Sequence, residues 1–283
     1  MNKMQRRDFI KTSSAFVVAG LMFPSSACSF IKTKYIGLQL YTIRDEVHKN
    51  IEVALDKLAK IGYNSVEAAG YNDGKFYGYT PQKFKKLIES YEMILPSTHT
   101  NFEIGQADKV IDDTCEAGIS YLVIPWLHPE KRKSIDSYKK LADDFNFIGE
   151  KCNKSGIQFA YHNHDFEFET IDGQLPYDVL LNNTDDEFVK MQLDLYWIKK
   201  GGYDPIKYFE NYPGRFELWH VKDMDGTAEH KNIETGRGII DFKSIFKYKK
   251  IAGMKYFFIE LDNCILPPYE CVKVSYDYMK SIT

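Results

Sequence analysis

The 283-residue chain is short of the features that would commit it to several large classes. Its five cysteines include no CxxC pair and no cysteine metal-ligand spacing, which leaves dithiol redox and thiolate-metal chemistry without support. No GxGxxG follows an early strand-like run, so a dinucleotide-binding fold is not indicated. No basic block is present, and the net charge is only −3, so nucleic acid has no electrostatic footprint here. A Gly-rich phosphate cradle is also missing, and no Pro/Ser linker divides the chain. Histidine is scarce at seven residues, yet two of them stand two apart in AYHNHDFEFE, residues 160–169. On a strand, residues i and i+2 share a face, so His162 and His164 are expected to project together.

The chain begins MNKMQRRDFIKTSSAFVVAGLMFPSSAC. A basic start at Arg6 and Arg7, followed by Phe9, Lys11 and an apolar stretch around 15–23, reads as an export signal. The stretch is too short for a comfortable membrane span. The paired arginines resemble a twin-arginine signal. SSAC at 25–28 resembles a bacterial lipobox, so cleavage of 1–27 and a lipid anchor on Cys28 are expected. The predicted organisation is a signal and tether over 1–33 and one domain over 34–283, periplasmic or held at a membrane by lipid. Whether the four later cysteines, Cys115, Cys152, Cys264 and Cys271, pair is open.

Eight apolar runs of strand length follow: 35–41, 65–70, 95–101, 121–126, 158–164, 190–197, 216–223 and 256–262. Helix-like stretches such as NIEVALDKLAKIG (50–62) lie between most of them. In TPQKFKKLIESYEM, Thr80 suits a cap and Pro81 the first helical position. Four segments place a glycine just after a helix and just before a strand: Gly62, Gly118, Gly156 and Gly253. Each suits the left-handed position that ends a helix. Alternating strands and helices imply a parallel sheet, and eight such units in about 250 residues fit a (β/α)8 TIM barrel. An open doubly wound sheet is the alternative.

In such a barrel, the site lies at the carboxyl ends of the strands. Strand two ends with Glu67, and strand three carries His99 and Asn101. Strand five brings His162 and His164, then Glu167; strand six brings Asp194, then Trp197. Strand seven carries His220, Lys222 and Asp223, and strand eight Glu260 and Asp262. Buried charges need partners or a metal. Two imidazoles and two carboxylates from four strands suit one divalent ion such as Mn²⁺, Zn²⁺, Co²⁺ or Mg²⁺. A salt-bridged network is the plainer alternative.

The order Asp in LDLYW, His in WHVKD and Glu in IELD resembles the xylose-isomerase-like barrel superfamily, as do GLQLYTIRDEV (37–47) and GRGIIDF (236–242). That group includes sugar isomerases and epimerases, inosose dehydratase and endonuclease IV. The resemblance covers nearly all of 35–283. It implies a metal held by Asp194, His220 and Glu260, with His162 as the fourth ligand where relatives usually carry a glutamate, or Tyr161 if the register slips by one. That departure, a His-x-His on strand five, looks more like the inosose dehydratase branch. Glu167 falls near an acidic position that contacts substrate in relatives.

The implied activity is proton transfer beside a metal-polarised carbonyl of a small carbohydrate. Candidate bases are Glu260, His162 and His164, with Lys222 placed to stabilise developing negative charge. Glu67, His99 and Arg237 are candidates for sugar hydroxyls, and Trp126 and Trp197 for stacking on a sugar ring. Export argues for an unphosphorylated sugar or keto-sugar. Isomerase, epimerase and keto-glycoside lyase or hydro-lyase outcomes share the first step. A non-catalytic carbohydrate-binding lipoprotein is the more distant reading. DNA repair fits poorly, since it would need more histidines and a different charge balance.

Overall fold

The computed structural model describes residues 35–283. The expected export signal and Cys28 lie outside the described residues. Eight strands close into a barrel: β1 (Gly37–Gln39), β2 (Ser65–Ala68), β3 (Ile94–His99), β4 (Tyr121–Ile124), β5 (Gln158–His162), β6 (Val189–Asp194), β7 (Leu218–Val221) and β8 (Tyr256–Ile259). Each strand pairs in parallel with its neighbours in sequence, and β1 closes the ring on β8. The parallel order requires crossovers. Helices such as Ile51–Ile61, Pro81–Ser90, Ala107–Glu116, Ile135–Lys154 and Pro268–Ile282 supply them. In the first of these, Ala54, Leu55 and Leu58 are fully buried against the barrel. This is the (β/α)8 barrel expected from the sequence, with the strands shorter than the apolar runs.

The four helix-ending glycines adopt positive φ, +118° at Gly62, +69° at Gly118, +75° at Gly156 and +79° at Gly253. Pro81 opens its helix as expected, but the Thr80 side chain makes no capping hydrogen bond. Gly37 serves a different purpose. A Cβ there would lie 2.7 Å from the Phe257 carbonyl oxygen and against the Phe258 ring. Its absence lets Phe258 fill the barrel.

The barrel interior is layered by the two-residue period of the strands. Tyr121, Val123, Ala160, Leu218 and Phe258 form an apolar cluster of their own, separate from the larger core beneath the helices. Two residues further along β5, β7 and β8 come His162, His220 and Glu260. They share the inward face of those strands and sit one layer above the plug. The polar set is thus placed at the barrel mouth by alternation alone.

Beyond β7, Asp223 accepts hydrogen bonds from the backbone N–H groups of Met224, Gly236, Gly238 and Ile240. The GRGIIDF segment therefore wraps a buried carboxylate and shapes the loop above β7. Among the described residues, no helix is long and apolar enough to cross a membrane, and the four cysteines are free thiols.

Candidate active site at the barrel mouth

Four side chains from four consecutive strands converge. One ligand-capable atom from each of His162, Asp194, His220 and Glu260 lies within 4.8 Å of the others, and all four residues are buried. His99 joins His162 and His220 in a second, overlapping group. Asp194 faces His162 at 3.8 Å through Oδ2, while its Oδ1 caps the following turn by accepting from the N–H groups of Tyr196 and Trp197. Asn163 accepts from the Asp194 N–H at 3.0 Å. The capping fixes which oxygen faces inward.

Two observations test whether the set fits a divalent ion. His162 Nδ1 is buried with no hydrogen-bond partner, and Asp194 Oδ2 makes no hydrogen bond although Lys222 Nζ lies 3.4 Å away; buried polar atoms without hydrogen bonds are rare in a finished interior. Two imidazoles and two carboxylates also make a donor set of the type that holds Zn²⁺ or Mn²⁺. The residues fit such an ion.

Lys222 is the cation of the site. Its Nζ lies 3.0 Å from Glu260, 3.4 Å from Asp194 and 2.9 Å from Asp262, with the side chain only 2% exposed. It is buried, not an ordinary surface lysine. Burial works against its charge, but these three carboxylates hold it above the usual lysine range. Burial also opposes the charge of His220, yet Glu260 and Glu67, each 2.5 Å from a ring nitrogen, raise it to about 10. Glu260 is held well below the usual carboxylate range: Lys222 and His220 outweigh its burial. Burial pushes Asp194 up to about 6 against the pull of Lys222. Burial lowers His162 well below its usual value and His164 to about 3, so both imidazoles are neutral.

A cavity of about 600 Å³ opens above this set, lined by Tyr41, His99, Asn101, Trp126, His164 and Lys222 among others, with Glu260 and Asp262. His164 lies two residues beyond the end of β5, and its ring stands 5.1 Å from that of His162. The expected pairing of the two rings on one face is therefore present. A second cavity of about 530 Å³ shares Asn101 and Trp126 with the first and is walled by Phe102, Leu127 and Phe145.

Several residues expected to touch substrate are placed otherwise. Glu67 is fully buried under the mouth and does not line the cavity. Glu167 is fully buried too: it accepts from the Tyr161 hydroxyl and, at 2.8 Å, from the His164 N–H. It positions His164 and is shut off from the cavity. Arg237 rides on the loop around Asp223, half exposed and 3.7 Å from Glu234, and lines neither cavity. Trp197 packs 5.4 Å from the His164 ring, with Lys222 Nζ 5.5 Å from its own ring, behind the lining. His99 and Trp126 line the cavity.

The sequence reading passed over Gln39, Ser97 and Gln192, all fully buried. Gln192 stands two residues before Asp194 on β6, so the same period that placed Asp194 placed it inside. An amide amid apolar residues was the available signal.

Fold and mouth together define a (β/α)8 barrel with a His/Asp/Glu set suited to one divalent ion. The chain belongs to the xylose isomerase-like TIM barrel family, whose model matches residues 55–263. The inosose dehydratase of Clostridium beijerinckii is 27% identical over 168 residues, 52% of this chain and 55% of that protein. That of Geobacillus kaustophilus is 26% identical over 190 residues, 58% and 60% of the two chains. The chain thus spans a little over half the length of the curated relatives it matches. The crystal structure of a sugar phosphate isomerase/epimerase from Parabacteroides distasonis superposes with a TM-score of 0.80 at 29% identity, covering 91% of this chain and 97% of that one. Members of the family named here are enzymes of isomerase, epimerase and dehydratase type.

Proposed function

We propose that the protein is a divalent-metal-dependent enzyme that moves a proton at a carbon beside a carbonyl of an unphosphorylated sugar or keto-sugar, as isomerases and epimerases do. The convergence of His162, Asp194, His220 and Glu260, with two of their buried atoms making no hydrogen bond, carries this reading. A bound ion would supply Lewis-acid polarisation of the carbonyl and its neighbouring hydroxyl.

The chain's own groups would do the rest. Glu260 on β8 and His162 and His164 on or just past β5 stand on strands separated by β6 and β7. They bound the cavity from two sides, so a proton can be taken by one and returned by another. Lys222 is anchored by three carboxylates beside the same space, placed to stabilise negative charge on the substrate oxygen. His99, Asn101 and Trp126 would bind the ring. Among the described residues lining this cavity, Lys222 is the one lysine or arginine, and those acids already neutralise it. A phosphate dianion would find little welcome, which favours a neutral sugar. We further propose that the chain is exported and lipidated at Cys28; intact-mass measurement of native protein tests this, and retention of Met1 would refute it.

Elimination is the second reading, favoured by relatives named inosose dehydratase and by the histidine pair on β5. Both readings begin with the same proton abstraction. The test is solvent-deuterium uptake by keto-sugars and glycosides on metal-loaded protein. Uptake with a rearranged sugar supports the isomerase reading, and uptake with loss of water or an aglycone supports the lyase. No uptake from any of them, with sugar nonetheless bound, would favour a binding protein.

A further inference from the structure

Glu67 is a carboxylate with no access to solvent or to the cavity, and each of its lone pairs is used. Oε1 accepts from Ser97 Oγ at 2.5 Å and Gln192 Nε2 at 2.7 Å. Oε2 accepts from Gln39 Nε2 at 2.7 Å and lies 2.5 Å from His220 Nε2. A carboxylate offers about four acceptor positions and, when ionised, no proton. Four close donors fill those positions, and His99 Nε2 stands 3.3 Å from Oε2 as a fifth neighbour.

We infer that Glu67 is the positioning residue of the site, fixing the ring orientation of His220 and the tautomer of His99 so that each presents Nδ1 to the mouth. The inference rests on the metal reading only for its effect on His220. An ionised Glu67 can only accept, so His220 Nε2 carries a hydrogen. Nδ1 lies on the Glu260 side, 2.5 Å from that carboxylate, so without an ion it donates there too; an ion at the mouth would take the place of that hydrogen, while Glu67 keeps the one on Nε2. Metal-ligating histidines commonly give their other N–H to a carboxylate, which orients the ring.

The second ring follows through an amide. Because Gln192 meets Glu67, the atom facing the carboxylate must be its NH₂ group. Its Oε1 therefore faces His99, whose Nε2 is 2.5 Å away. An amide oxygen can only accept, so His99 Nε2 carries the hydrogen. His99 is left with Nδ1 as its acceptor, on a ring stacked 4.9 Å from that of His220. One buried acid thus sets two imidazoles: His220 directly, and His99 through Gln192 and by its own Oε2, 3.3 Å from the same Nε2. Gln39 and Ser97 hold the acid in place from β1 and β3.

The test uses the full chain with uniformly ¹⁵N-labelled histidine. Two-bond ¹⁵N–¹H correlation on metal-free wild type is expected to show His99 as the Nε2–H tautomer. Gln192→Leu removes the shorter of the two contacts on His99 Nε2 and should shift His99 toward a mixed population while leaving zinc affinity within about threefold of wild type. Glu67→Gln should weaken zinc binding, measured by chelator competition, by ~10–100-fold, with the metal-free melting temperature followed alongside. A purely structural Glu67 would lower melting without moving the His99 signal or separating the two variants. His99 found as the Nδ1–H tautomer in wild type, or Glu67→Gln binding zinc as tightly as wild type, overturns the inference. Should wild type bind no divalent ion, the proposed function fails, while the His99 tautomer still decides the claim for Glu67.

Discussion

Along β5, β7 and β8, two inward positions follow one another with opposite characters. Ala160, Leu218 and Phe258 close the barrel with apolar side chains, and His162, His220 and Glu260, two residues on, open it with polar ones. The chemistry sits on rigid strand ends, one pleat above the plug that packs them. Stability and function are therefore separable by a step of two residues along one strand.

The sharpest way to break that separation is to exchange the effects. Glu260→Gln should reduce solvent-hydrogen exchange into substrate by ~10²–10⁴-fold, the usual cost of losing a proton-transfer group. Phe258→Ala should leave zinc affinity near that of wild type but cost ~3–5 kcal/mol of stability in denaturant unfolding. If both variants lose stability alike and activity alike, the layers are not distinct.

Lys222→Met should slow turnover by roughly 10²–10³-fold while the ion stays bound, as chelator competition would show. Loss of the ion in this variant would mean that Lys222 supports the ligand set and not the substrate.

Glu167 gives a smaller, pH-dependent contrast from just outside the mouth. Burial raises its carboxyl from 4.5 to about 7. A folded-state value above the unfolded one means stability present below pH 4.5 and lost as pH rises through 7. A shift of that size corresponds to on the order of 3 kcal/mol. Glu167→Gln does not titrate, so its melting temperature should gain on wild type between pH 5 and pH 8. A constant difference across that range would show that Glu167 is already ionised at pH 5.

Trp126, 38% exposed on the cavity wall, should matter least. Trp126→Ala is expected to raise KM by about two- to tenfold, the scale of one ring contact, with kcat and zinc affinity unchanged.

The fold and the convergence of the His/Asp/Glu set were legible because both follow a period. Helix-ending glycines and eight apolar runs announced the barrel, and the i, i+2 rule put His162, Asp194, His220 and Glu260 on matching strand ends. Glu67 lies at such an end too, but its role was not legible. Reading it needs the register that brings Gln39, Ser97 and Gln192 around it from three other strands. Glu167 likewise looked like a substrate contact until the turn after β5 brought it back beneath His164. Arg237, a candidate for sugar hydroxyls, sits in GRGIIDF, where it is the backbone N–H groups that bind Asp223.

The account turns on an ion at the mouth, and metal content measures it most directly. Elemental analysis of the purified chain after reconstitution and desalting should find one divalent ion per chain. Asp194→Asn keeps the carbonyl oxygen that caps the following turn, and it should lose that ion while remaining folded by circular dichroism. Wild type without an ion, or Asp194→Asn retaining a full equivalent, would contradict the account.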